Sequence, residues 1–448
     1  MTYRKYLIYL YLWISFFIII PANSALGTPT DPVSITSSPS PKGSGGRAIA
    51  MGRSFLSVAD DATAASWNPG CLIQLLTPEL SVVFTYSFKN ELNDIYGEGI
   101  DTEWKQHLHS DALNYASLSL PYELFQKNMV FSLNYLHLYD FSRVWNCSFQ
   151  QQTLRSLISR NIHFQQSGKL SAVGIAWCIQ IIPTFAVGIT LNFWNDNSNN
   201  QWNKNSIETG EIINHSNNKK YTYKFFSKDT YSFDGFNTNL GLFWKISNQI
   251  RMGAVLKTPF TAELNHVSEF SSEVINTATS NISKLSYPPI TTHEHMDMPA
   301  SYGIGISYHP SRKWVFSADV YHIEWQNFLI HDDNGSYSLI SGVNEQESSV
   351  NPATQFHMGM EYLFFHNARI FPVRCGFFYE PAPAEKTHDD FFGITLGTGL
   401  TYQSYHFDLA YEFRFGNNVG QSVITSNQFN FSQDVNEHSL YASFIYHF

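Results

Sequence analysis

Four cations fall at alternate positions of stretches whose other face is apolar: Arg251, Lys257, Arg374 and Arg414. A cation facing a polar interior can hold a carboxylate by charge-assisted hydrogen bonds while apolar surface beside it takes an aliphatic chain. The same cations can instead pair with Asp319, Glu361, Asp408 or Glu412 on neighbouring strands and brace that interior. The stretch His293-Glu294-His295 puts two imidazoles on one face of a strand with no third ligand identifiable, so no metal site is expected. No Gly-x-Ser-x-Gly, phosphate loop or Cys-x-x-Cys appears, and neither enzymatic activity nor a cofactor is expected. Cys71, Cys147, Cys178 and Cys375 are scattered; isolated thiols or a Cys71 to Cys147 disulfide both fit.

The elements that carry these cations are strands. In "HFDLAYEFRF", Phe407, Leu409, Tyr411, Phe413 and Phe415 share one face while His406, Asp408, Ala410, Glu412 and Arg414 share the other. "FFGITLGTGLTY" and "SYGIGISYH" repeat the pattern with small residues on the second face. Strands are expected near 80–89, 112–121, 128–139, 169–180, 184–195, 231–246, 250–267, 293–309, 313–326, 355–365, 369–380, 391–404, 405–415 and 437–448. The connections alternate strictly between short, such as 247–249 and 310–312, and long, such as 90–111 and 140–168. An even strand number with loops sorted by length predicts an all-β fold, a fourteen-stranded antiparallel transmembrane β-barrel in a Gram-negative outer membrane. A soluble sandwich or propeller has no reason to sort its loops this way.

Composition agrees. Charged residues are 14% of the 448 and aromatic residues 16%, where soluble domains carry roughly 25% charged residues. The net charge of −10 without a basic run excludes nucleic acid as a partner. Arg4 and Lys5 precede an apolar run from Tyr6 to Ile20, then Pro21 and "ANSA", which predicts a signal peptide over residues 1–25 cleaved after Ser24. No later stretch is long and apolar enough for a membrane helix.

Residues 26–46, rich in Pro, Ser and Gly, predict a flexible arm, and residues 79–448 the barrel. Between them, residues 47–78 include "RAIAMGRSFLSVADDATAASWNPGCL", too apolar for a solvated tail. A barrel of this size has a lumen its own side chains cannot fill, so the segment is expected to plug it as a hatch. Trp67, Asn68, Pro69 and Gly70 would turn the hatch inside the lumen. Asp60 and Asp61 could bind cations, cap that turn or anchor the hatch to the wall. Trp202, Tyr221, Tyr223, Phe225 and Phe226, in the long connection 195–230, could line an outer capture groove, pack against one another or continue a strand.

The hatch sequence resembles that of the FadL-like family of outer-membrane transporters for long-chain fatty acids and related hydrocarbons. "MPASYGIGISYHPSRKWVFSADVYHIEWQNF", "VRCGFFYEPAPAEK" and "GTGLTYQSYHFDLAYEFRFG" resemble that family's later strands, and Phe448 is similar to its terminal aromatic residue. Gly70 stands where the family usually has Ala, and Glu380-Pro381 where it more often has Asp and Ser. The resemblance implies a monomer among outer-membrane lipids, inserted by the barrel assembly machinery. It implies passive transport of a hydrophobic ligand such as a long-chain fatty acid, with Arg374 at a family arginine position. A structural or secretion-adaptor barrel of the same fold, and a general porin for small polar solutes, are the alternatives.

Overall fold

The computed structural model describes residues 44–448 apart from 98, 141, 196–200, 333–334 and 423–428. The expected signal peptide and nearly all of the expected arm lie outside the described residues. Two short helices, α1 (Gly46–Ala50) and α2 (Ala64–Trp67), and a 3-10 turn over Pro69–Gln74 precede the sheet. The strands are β1 (Glu79–Gly97), β2 (Ile100–Leu124), β3 (Lys127–Asp140), β4 (Arg143–Gln152), β5 (Ser156–Ser167), β6 (Lys169–Ile182) and β7 (Phe185–Asn195). There follow β8 (Trp202–Asn214), β9 (Lys220–Lys245), β10 (Ile250–Lys257), β11 (Phe260–Asn276), β12 (Ile282–Met298), β13 (Ser301–Tyr308) and β14 (Trp314–Ile323). The last seven are β15 (Leu329–Asp332), β16 (Gly335–Ser338), β17 (Ala353–His366), β18 (Arg369–Tyr379), β19 (Phe392–Tyr402), β20 (Tyr405–Val419) and β21 (Phe429–His447).

Antiparallel pairing runs from β1 through β2, β3, β6, β7 and β9 to β10 and β11, on to β12 and β13, then β14, β17, β18, β19, β20 and β21, and β21 closes on β1. Fourteen staves result, because β10 with β11 and β12 with β13 are single staves interrupted where Pro259 and Pro299 each remove a ladder donor. Alternation sets the faces as expected: Phe407, Leu409 and Tyr411 point outward while Asp408, Glu412 and Arg414 are buried in the lumen. The outward band of Leu118, Leu133, Ile175, Leu242, Ile304, Met358 and Leu396 is the lipid-facing surface of an outer-membrane barrel. At its short-turn end stand Trp314 and Tyr362, with ring centroids 4.4 Å apart, and Tyr405 and Tyr446, 5.2 Å apart, the belt that amphipathic rings form at a membrane interface.

The long connections differ from the sequence expectation. Residues 90–97 and 100–111 continue β1 and β2 as a hairpin above the membrane, and 140–168 and 195–230 hold β4, β5, β8 and the start of β9. There β5 pairs with β8 and β8 with β9, so these connections extend the wall itself. Outward residues mark the change of solvent along β2: Leu120, Leu118 and Leu113 give way to Asp111, His109, His107, Lys105 and Glu103. Sequence alternation alone did not disclose these extensions, because a strand exposed to water on its outer face carries polar residues that read as loop.

A lipid-facing Ile304→Arg variant is expected to lose about 2–4 kcal/mol of folding free energy near the bilayer midplane, as measured by denaturant titration in vesicles.

Candidate functional site

The hatch fills the lumen, with Ala48, Ile49, Met51, Phe55, Val58, Ala62 and Ala65 all buried. Backbone reaches the wall closely where glycine allows it. Gly52 has φ +63°, and a Cβ there would stand 2.4 Å from the Met358 carbonyl oxygen. At Gly241 a Cβ would meet Asn68 Oδ1 at 2.2 Å. Both positions therefore depend on having no side chain.

Asn68 joins hatch to wall: its Nδ2 donates to the Leu56 carbonyl at 2.7 Å and to the Leu242 carbonyl at 2.8 Å. Its Oδ1 accepts from the Gly70 N–H at 3.0 Å, starting the turn in which Pro69 occupies the first position. Trp67 donates its indole N–H to the Ser44 carbonyl at 2.7 Å and meets Phe55 edge-on. Asp61 accepts from the backbone N–H of Thr63 at 2.9 Å and from its hydroxyl, whereas Asp60 pairs with Arg47 of the hatch itself. Wall acids also receive hatch amides: Asp319 accepts from Phe55 and Leu56 at 2.7 and 2.9 Å, and Glu79 from Ala62 at 2.7 Å.

Two hatch arginines carry the charge contacts with the wall. Arg47 grips Glu361 through Nε and Nη2, both at 2.9 Å; Glu361 also accepts from Arg374 Nε at 2.6 Å, and Arg374 Nη1 reaches Asp408 at 2.5 Å. Arg53 is bidentate to Glu412 at 3.0 and 2.8 Å and donates to Glu380 at 2.8 Å, and His357 lies 3.2 Å from the same Glu380. In sequence terms, Arg47 and Arg53 were part of the hatch without an assigned role. Their signal was the two arginines in "GGRAIAMGRS" set against inward acids on the last strands.

Of the four cations with alternating positions, Arg374 is committed to Glu361 and Asp408. Arg414 lies over the Phe391 ring at 3.8 Å with Glu437 at 3.6 Å, and Arg251 donates to Gln74 at 2.6 Å. Lys257 sits 5.7 Å from the centre of the Tyr321 ring and lines a lumen cavity of ≈50 Å³ with Trp67, Leu136, Leu138 and Gln355. Phe225 and Tyr223 pack at 5.1 Å beside Tyr221, away from Trp202, whose ring is tilted against Tyr231 at 4.8 Å; Phe226 pairs with Ser271 on the adjacent strand. These aromatic residues are thus divided between two places in the extension. His293 and His295 point outward while Glu294 turns inward, and no group of three metal-binding side chains gathers among the described residues. All four cysteines are free thiols.

The wall parts at a seam between β2 and β3. The ladder between β2 and β3 ends at Tyr115 and Leu136; above it β2 pairs with β1 alone, while His137 of β3 pairs with Ser171 of β6. Asn114 is the extra residue of a bulge there, buried with its Oδ1 unbonded. Side chains cross the seam in place of backbone: Ser110 to Asp140 at 2.5 Å, Lys169 to the Asp111 carbonyl at 2.8 Å and Asn114 to the His137 carbonyl at 3.4 Å. On the lipid side a groove of ≈940 Å³ runs from Leu396 past Leu409, Leu440 and Phe84 to Leu113 and Asp111 at this level.

Above the apolar band, His266 lies between Asp229 at 3.0 Å and Glu294 at 2.8 Å and stacks on Tyr231 at 4.2 Å. Burial opposes its charge, but the two carboxylates prevail and raise its pKa to about 9. Its stabilising contribution is complete below the unfolded value of roughly 6.5 and is lost as pH rises through about 9. The unfolding temperature is therefore expected to fall between pH 7 and 10 by more in the native chain than in His266→Gln. Arg53→Met, which removes the bidentate partner of buried Glu412 and one of the cations beside Glu380, is expected to cost about 3–5 kcal/mol in urea unfolding.

Solved structures with this architecture are similar in fold. A FadL homologue of Pseudomonas aeruginosa aligns with TM-score 0.57 and 13% identity over 93% of this chain and 100% of its own. The toluene transporter TodX of P. putida aligns with TM-score 0.57 and 13% identity over 91% and 99%. The CymD monoaromatic hydrocarbon channel aligns with TM-score 0.51 and 12% identity over 91% and 98%. No curated protein sequence matches. The barrel thus has the FadL fold, and because the family model described as BamG matches residues 84–435, the chain belongs to the BamG family.

Proposed function

We propose that this protein carries hydrophobic compounds passively across the outer membrane, with the seam beside β2 as their lateral path. The observation that supports this most is the end of the β2–β3 ladder at Tyr115 and Leu136, closed only by side chains and adjoining an apolar groove on the lipid face. An apolar solute gains nothing from a polar lumen, and a lateral route spares it that crossing. The transporters and channels of the same fold add support, TodX being named for toluene and CymD for monoaromatic hydrocarbons. For a fatty acid, Lys257 is the candidate: like Arg251 it has no ion-pair partner among the described residues, and of these two it is the one that lines the lumen cavity. The lumen cavity of ≈50 Å³ beside it is far smaller than such a chain, so the hatch would have to shift.

A second reading, an adaptor barrel serving other exported proteins, draws on the hatch ion pairs, which favour a plug that stays in place. The porin alternative finds no support in a lumen this full. The test uses liposomes carrying the purified protein. Labelled toluene or oleate is expected to enter faster than in empty vesicles, and Ser110→Cys with Asp140→Cys, bridged by a short thiol crosslinker, is expected to cut that rate at least tenfold. Uptake equal to empty vesicles, with a periplasmic or surface protein co-purifying, would favour the adaptor.

A further inference from the structure

Just inside the seam, Arg143 opens β4 and is 0% exposed, yet its Nε, Nη1 and Nη2 donate no hydrogen bond. Its one strong contact is the Trp145 ring, 4.7 Å away. Burial lowers its pKa to about 10 in spite of the Glu91 charge, and that carboxylate is already paired with Lys89 at 2.8 Å. A buried guanidinium without hydrogen-bonded compensation costs several kcal/mol, a cost that folds accept at functional positions.

Other unspent groups lie in the same layer. Gln106, the register partner of Glu91, has both amide atoms buried and unbonded, and the indole N–H groups of Trp104 and Trp145 are likewise unbonded. Trp145 lies 5.6 Å from Phe431 and 5.7 Å from Phe164 with its ring tilted to both, and Trp104 lies 6.2 Å from Phe431, so an aromatic wall flanks the polar groups. Ile95 and Ile162 complete it. Lys89 offsets the charge of Glu91, whose two oxygens are buried without a hydrogen bond, so the layer carries one net positive charge and several unbonded N–H donors, more than the two oxygens of a carboxylate engage. Along β2 it stands above Leu113 and Asp111, where the outward residues change from apolar to charged, on the extracellular side of the membrane.

We infer that Arg143 is the centre of a binding site for the phosphate of an amphiphile, entering through the seam with its apolar part against Trp145 and Phe431. Guanidinium, indole and amide donors surround the phosphate oxygens, and the aromatic wall takes the adjoining chain. The site goes beyond the transport reading, because it requires binding and not passage.

The experiment measures binding to the purified full-length barrel in a non-ionic detergent by calorimetry, with dodecyl phosphate, dodecanoate and inorganic phosphate as probes. Dodecyl phosphate is expected to bind with one-to-one stoichiometry and at least tenfold more tightly than either other probe. Arg143→Gln is expected to weaken it at least tenfold, with Arg143→Lys recovering part. Without a probe, Arg143→Gln is expected to unfold at the same or a higher temperature, since it removes an uncompensated buried charge. Equal binding by Arg143→Gln, tighter binding of dodecanoate, or equally tight inorganic phosphate overturns the proposal. So does a fall in the unfolding temperature of probe-free Arg143→Gln, which would make the arginine a structural prop.

Discussion

Everything in this barrel depends on how charge is kept inside a lumen that the hatch occupies. Arg47 and Arg53 bring two cations in on the hatch, and Glu361, Glu380 and Glu412 meet them from three staves. Each charge is costly alone and acceptable in the network, so hatch and wall are stable chiefly as a pair. The acids also fix where the hatch lies, since bidentate guanidinium contacts define orientation as well as distance. Glycines on both sides then let the two backbones touch, as Gly52 of the hatch does beside Met358 and Gly241 of the wall does beside Asn68.

The fold was largely legible in the sequence because a barrel between lipid and a polar lumen imposes a strict two-residue period. Phe407, Leu409 and Tyr411 against Asp408, Glu412 and Arg414 state that period plainly, and the sorted connections state the topology. What the sequence concealed lies where the outer solvent becomes water. Residues 100–111 of β2 carry His109, Lys105 and Glu103 outward, so they look like a loop, and β4, β5 and β8 stayed hidden for the same reason.

The candidate site was legible in its residue types and less so in its pairings. Alternation identifies Arg374 as inward-facing, but which acid takes it depends on register between β17, β18 and β20 and on an arginine arriving from the hatch. Asn68 could be placed in a turn from its neighbours, while its grip on the Leu242 carbonyl depends on a wall strand 174 residues away. Arg143 carries no local signal at all. Its isolation exists only because β2 and β4 run side by side without a ladder.

The closure of the barrel involves the hatch chain as well. β1 pairs with β21 from Glu79 and His447 to Gly97 and Phe429, and the Phe448 N–H bonds the Pro78 carbonyl at 3.0 Å, just where the hatch chain leaves the lumen. The two strands most distant in this sequence, β1 and β21, are therefore neighbours, over a ladder longer than the membrane is thick. Pro78 thus ties the hatch chain to the line where the ring closes, so the place at which the plug enters and the place at which the wall is sealed are the same.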